Sequence, residues 1–152
     1  MEIERKFLLS ALPENLSCYP CRKIEQAYLC TDPVVRIRRQ DQEYILTYKS
    51  KGFLSREEYN LPLTEDAYLH LRKKADGIIL SKTRYLIPYG ADLTIELDVF
   101  DAPYEGLCLA EVEFSSETEA ENFEKPDWFT EEVTWSSRYH NSTLSQSQDS
   151  DV

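Results

Sequence analysis

Charged side chains of one sign recur at alternate positions along this chain: Glu2-x-Glu4, Arg36-x-Arg38, Lys82-x-Arg84, Glu96-x-Asp98 and Glu111-x-Glu113. Lys6 extends the first series, Arg56 alternates with Glu58, and Lys49 closes the alternating run YILTYKS. In a strand, such residues share one face. Ile3 and Phe7, Val35 and Ile37, Ile95 and Leu97, and Val112 and Phe114 take the opposite one. Guanidinium and ammonium groups hold phosphate oxygens, and carboxylates hold Mg²⁺ or Mn²⁺, hard cations that prefer oxygen ligands. A polyphosphate with its divalent metal needs both kinds of group at once.

That chemistry requires the charged faces to converge. For one strand taken alone, the usual arrangement turns the apolar face to the core and the charges to water, as in a solvated antiparallel sandwich. Two features favour the reverse. The outside of a barrel has no use for so many like-charged pairs, and the chain's helices carry apolar stripes that need an apolar strand face to cover. Turned inward, Lys6, Arg36, Arg38, Lys49, Arg56, Lys82 and Arg84 meet Glu2, Glu4, Glu58, Glu96, Asp98, Glu111 and Glu113. An interior of this kind is costly unless it is wet and its groups find partners.

The period-two pattern predicts eight strands, over 1–9, 22–31, 34–40, 43–50, 55–63, 80–88, 92–101 and 108–115. Turn residues separate them, among them Asp32-Pro33, Lys51-Gly52, Tyr89-Gly90 and Gly106. Thr64 caps a helix over 65–76, with Glu65 and Asp66 in its first turn and Lys73 and Lys74 in its last. Ser116 and Glu119 form a capping box for a second helix, which Pro126 stops. A third, short helix is expected after Ser136 or Ser137. Short connections between many strands favour an α+β fold: an eight-stranded antiparallel β-barrel, or tunnel, with a charged interior and helices packed outside or at one end.

At 152 residues the chain is read as one domain over 1–144, followed by a disordered tail, 145–152, whose sequence SQSQDSDV has nothing to bury. The net charge of −11 opposes binding to nucleic acid or to an anionic membrane surface. Its distribution is uneven. Through Arg84 there are 15 Lys and Arg against 12 Asp and Glu, and beyond it 2 against 16, so the first half can build a cationic wall. Cys18 and Cys21 form a Cys-x-x-Cys, but no second pair or histidine set accompanies them, and a loop entering a strand is the wrong setting for a redox motif. The four cysteines are read as reduced, and with no membrane-length apolar run or signal peptide the expected location is the cytoplasm. His70 on a helix surface and His140 near the chain end are read as having no part in chemistry.

The same residues resemble the CYTH superfamily, the triphosphate tunnel metalloenzymes. EIERK resembles its Glu-x-Glu-x-Lys signature; VRIRR, TYKSKG, SREEY, SKTRY, IELDVF and AEVEF follow in the family's order, and EVTWSSRYHN is similar to its closing helix motif. Asn60 departs from the pattern, which often continues Glu-x-Glu after Glu58, as do Trp135 and Ser136. The resemblance implies a small-molecule triphosphate substrate, most similar to that of the short bacterial inorganic triphosphatases, which release pyrophosphate and phosphate. It implies Mg²⁺ or Mn²⁺ held by Glu2, Glu4 and Glu113, with Glu111 nearby, and a second ion near Glu96 and Asp98, or Glu58. Lys6, Arg36, Arg38, Lys49, Arg56, Lys82 and Arg84 would bind the phosphates, and Lys49 or Lys82 would serve as general base if their mutual repulsion lowers one pKa. Class IV adenylate cyclase, thiamine triphosphatase and a non-catalytic polyphosphate-binding module remain open, as does the choice between monomer and homodimer.

Overall fold

The alternating segments form one antiparallel sheet that curls into a nearly closed barrel. The computed structural model describes residues 1–146. Its strands are β1 (Glu2–Leu9), β2 (Cys21–Thr31), β3 (Val34–Gln40), β4 (Glu43–Lys49), β5 (Ser55–Arg56), β6 (Glu58–Pro62), β7 (Asp76–Tyr89), β8 (Leu93–Phe100), β9 (Cys108–Glu113) and β10 (Phe129–Glu132). The helices are α1 (Glu65–Arg72), α2 (Glu117–Glu121) and α3 (Asn141–Gln146). None of the described helices is long and apolar enough to cross a membrane.

Hydrogen-bonded neighbours run β10-β1-β9-β8-β7-β2-β3-β4-β6, and β5 returns to β1. The strand expected over 55–63 is therefore shared. Its start pairs with β1, placing Arg56 opposite Glu2, and its remainder pairs with β4, placing Glu58 opposite Lys49. Glu57, between the two, bonds Ser50 instead: its N–H donates to Ser50 Oγ at 2.8 Å and its carbonyl accepts from Ser50 N–H at 3.1 Å. Counted around the barrel this gives the expected circuit of eight, closed through one broken strand. β10 is additional and lies beside β1. Its short FTEE segment carries too little alternation to stand out in the sequence.

Most of the apolar strand faces point outward and are covered, as the charged-interior reading requires, whereas Tyr48 of β4 and Tyr59 and Leu61 of β6 stay exposed. Ile3, Phe7, Leu97, Val112 and Phe114 pack with Ala120 of α2 and Phe129 of β10. Ala27 and Ile37 pack beneath Tyr68 of α1. Arg5, the one charge on the outer face of β1, is used there: it binds Glu132 through Nε at 2.8 Å and Nη2 at 2.6 Å, and donates from Nη1 to the Ala120 carbonyl at 2.8 Å. It thereby ties β10 and α2 to β1.

Both helix caps form. Thr64 Oγ1 accepts from Ala67 N–H at 3.1 Å, and Ser116 Oγ accepts from Glu119 N–H at 3.0 Å. The return bond of the capping box goes to Ser115 N–H rather than to Ser116. α1 ends at Arg72, earlier than expected, because β7 begins at Asp76 and absorbs Gly77. Gly77 has φ +69°, and a Cβ there would run into the Ser145 carbonyl, so glycine lets α3 close onto β7.

One end of the barrel is apolar. A pleat beyond the inward charges of β1, β3, β7, β8 and β9 stand Leu8, Val34, Leu80, Phe100 and Leu109, and Leu144 of α3 packs among them. Tyr104 fastens this plug by donating from its hydroxyl to the Leu144 carbonyl at 2.6 Å. Ser145 and Gln146, assigned to the tail by sequence, thus belong to α3, with Ser145 buried; the rest of the expected tail lies outside the described residues. All four cysteines are free; Cys18 ends a short 3-10 turn, Leu16–Cys18, ahead of β2, and Cys21 is the first residue of that strand.

Candidate active site

Because residues directly opposite in an antiparallel ladder share a face, the register assembles the site. Glu4 lies opposite Glu113 and Lys6 opposite Glu111; Glu96 lies opposite Glu111, Arg84 opposite Asp98, and Arg38 opposite Gln26. Together these faces enclose a cavity of about 310 Å³. Of the fourteen charged residues expected in the interior, Glu2, Glu4, Lys6, Arg36, Arg38, Lys49, Arg56, Glu58, Arg84, Glu96, Glu111 and Glu113 line it.

Lys82 and Asp98 do not line it. Both are completely buried and paired with one another at 2.7 Å. Asp98 also receives Arg84 through Nε at 2.7 Å and Nη2 at 2.9 Å, and Lys82 donates to Asn141 Oδ1 at 3.1 Å. Asp98 therefore spends its oxygens on aiming Arg84. Burial, then Arg84 and Arg38, push Lys82 down to about 7 against the pull of Asp98. That cause differs from the Lys49 repulsion anticipated from the sequence.

Most remaining charges are matched. Lys49 meets Glu2 at 2.9 Å and Glu58 at 3.4 Å, Arg56 meets Glu2 at 3.2 Å, and Arg84 meets Glu96 at 3.2 Å. Lys6 lies 3.6 Å from Glu111 and donates to the Tyr139 carbonyl at 3.2 Å. Burial opposes the ionisation of Glu2, but Lys49 and Arg56 outweigh it and draw its carboxyl down to about 2. Glu111 is likewise held well below the usual range: Lys6 and Arg84 overcome its burial.

Four groups stand apart. Arg36 and Arg38 have no carboxylate partner among the described residues: Arg36 bonds Thr47 Oγ1 at 3.3 Å and leaves a buried Nε unbonded, while Arg38 bonds only Gln26 Oε1, at 3.0 and 2.8 Å. Burial, together with Arg36 and Arg84, pushes Arg38 down to about 9. Among the described residues Glu4 and Glu113 have no cationic partner in bonding range. Burial, then Glu111 and Glu2, raise Glu4 to about 8; burial, then Glu2, Glu96 and Glu58, raise Glu113. β3 and β9 are four places apart in the circuit of eight, so unpaired guanidinium groups face unpaired carboxylates across the cavity.

The residues present fit a divalent cation. A carboxylate raised by burial and by its acidic neighbours is relieved by positive charge. Among the described residues no three acidic or imidazole groups form a ready-made ligand set. An ion of the Mg²⁺ type needs only one or two carboxylates, completing its shell with water and phosphate oxygens. Metal affinity should then rise with pH as Glu4 loses its proton near 8. Calorimetric titration of Mn²⁺ between pH 6 and 9 checks this, with an affinity flat across that range as the contrary result.

Sequence reading missed several wall residues. Thr47 and Asn60, linked at 2.6 Å, line the cavity, and Asn60 Nδ2 donates to Glu58 at 3.2 Å where the family pattern often has another acid. His140, Asn141 and Ser142 also line it, carried there by the segment after β10. For His140 and Asn141 the only signal in the sequence was the closing RYHN motif, and Ser142 lies just beyond it.

The chain resembles known proteins along nearly its whole length. The CYTH domain matches residues 1–150. An inorganic triphosphatase of Nitrosomonas europaea is 42% identical over 96% of this chain and 97% of its own length. One of Acetivibrio thermocellus is 33% identical over 94% of this chain and 92% of its own. A solved inorganic triphosphatase superposes with a TM-score of 0.72 at 37% identity, covering 97% of this chain and 95% of that one. The chain belongs to the CYTH domain family.

Proposed function

We propose that this protein hydrolyses inorganic tripolyphosphate to pyrophosphate and phosphate with the help of Mg²⁺ or Mn²⁺. The observation that carries this reading is the set of four unmatched charges, Arg36 and Arg38 on one wall and Glu4 and Glu113 on another. A polyanion answers the first pair and a divalent cation the second. Two full-length relatives named inorganic triphosphatases support the same substrate.

Glu4 and Glu113, with Glu2 beside them, would hold the metal, which supplies charge neutralisation at the phosphate oxygens. Arg36, Arg38, Lys6 and Arg84 clamp the phosphate chain. Phosphoryl transfer passes through a loose transition state and depends mostly on positioning and charge. Water attacks the terminal phosphorus, the bridging P–O bond breaks, and pyrophosphate leaves. Of the two lysines considered for handling the water, Lys49 reaches the cavity, so it takes the orienting role. Lys82 acts from beneath, by holding Asp98 and thereby Arg84. The free cysteines are consistent with a reducing compartment, the cytoplasm.

Arg38→Ala tests the clamp. Arg38 has no ion pair to lose among the described residues, so the variant should keep its fold while KM for tripolyphosphate rises by roughly tenfold or more. Steady-state phosphate release and a melting curve read both quantities; an unchanged KM would contradict the assignment.

A further inference from the structure

His140 is held in the cavity wall by its neighbours in sequence. Tyr139 gives its carbonyl to Lys6, and Asn141 gives its side-chain oxygen to Lys82. The backbone of His140 is fixed as well: its N–H donates to the Ser137 carbonyl at 3.2 Å, and its carbonyl accepts from Thr143 and Leu144, each at 3.0 Å. The ring packs on Phe53 with centroids 5.3 Å apart. Neither ring nitrogen has a hydrogen bond among the described residues. His140 also lines an adjoining cavity of about 390 Å³, together with Lys49 and Arg56, so it forms part of the partition between the two spaces.

We propose that His140 is a further substrate-contacting residue, whose imidazole, backed by Phe53, donates a hydrogen bond to a phosphate oxygen of the bound chain. The inference rests on the triphosphate reading of the same cavity. The charged groups acting on the ring are Lys6 of β1, Lys49 of β4, Arg56 of β5 and, with opposite sign, Glu111 of β9. Burial and the three cations push the imidazole down to about 4, so in the free protein it is neutral near pH 6. A bound polyanion offsets the cations, and the ring then takes up a proton, turning a neutral donor into a charged one.

Two substitutions separate the ring from its nitrogens. His140→Phe keeps a ring against Phe53 but has no donor, and His140→Gln keeps a donor that cannot titrate. Tripolyphosphate is titrated into each metal-free protein at pH 6 in two buffers of different ionisation enthalpy, and turnover is measured with Mg²⁺. The wild type should take up about one proton more than either variant. His140→Phe should raise KM about tenfold, with kcat changed less and His140→Gln falling between. Equal proton uptake in all three proteins, or a KM for His140→Phe within twofold of wild type, overturns the inference while leaving the triphosphatase reading standing. A wild type that neither binds nor hydrolyses tripolyphosphate overturns both.

Discussion

Glu4→Gln should abolish metal-dependent phosphate release, by at least about 100-fold, without unfolding the protein. Glu4 is flanked by Glu2 and Glu111, faces Glu113 across the β1–β9 ladder and has no cation in bonding range among the described residues. Its carboxylate is therefore a liability to the metal-free fold. The sign follows from linkage: its folded pKa, about 8, lies above the ordinary carboxylate value, so the stability tied to its protonated form is lost as pH rises from about 4.5 through 8. The amide cannot ionise. At pH 9 without metal, Glu4→Gln should melt no lower than wild type, whereas added Mn²⁺ should raise the wild-type Tm and leave the variant's nearly unchanged. An active Glu4→Gln, or one that collapses, would remove Glu4 from the metal site.

Asp98→Ala should show the opposite pattern, a loss of fold ahead of any loss specific to chemistry. Asp98 is wholly buried and receives Lys82 at 2.7 Å together with both arms of Arg84. Removing it leaves two buried cations without their shared anion, and breaking such a pair costs about 3–5 kcal/mol. For a chain of this size that is a fall in Tm on the order of 10 °C. A thermal melt of Asp98→Ala within about 2 °C of wild type would show that Asp98 is free to serve as a ligand, as the family resemblance implied, rather than occupied in holding Arg84.

The sequence made the inside-out barrel legible because period-two alternation records which residues share a face, and like-signed pairs recurred on five strands. It also placed twelve of the fourteen interior charges at the cavity. Depth could not be read in the same way. Asp98 and Glu96 look alike in IELDVF, yet one pleat of difference puts Asp98 in the buried cluster and leaves Glu96 on the wall. The broken strand at Glu57 was hidden because SREEYNL alternates without interruption, and the break comes from a bond to Ser50. His140 was hidden for a related reason. It lies outside the alternating strands, and long-range contacts draw its segment along β1 to the cavity: β10 pairs with β1, Arg5 binds Glu132, and Lys6 N–H donates to Thr134 Oγ1 at 2.9 Å.

The most direct test is product analysis on purified protein given tripolyphosphate, ATP, thiamine triphosphate or pyrophosphate, each with and without Mg²⁺ or Mn²⁺. Preferential turnover of tripolyphosphate to equal amounts of pyrophosphate and phosphate, dependent on the metal, is the expected result. Tight binding of tripolyphosphate without turnover under any metal, or pyrophosphate with cyclic AMP from ATP as the main products, would contradict it.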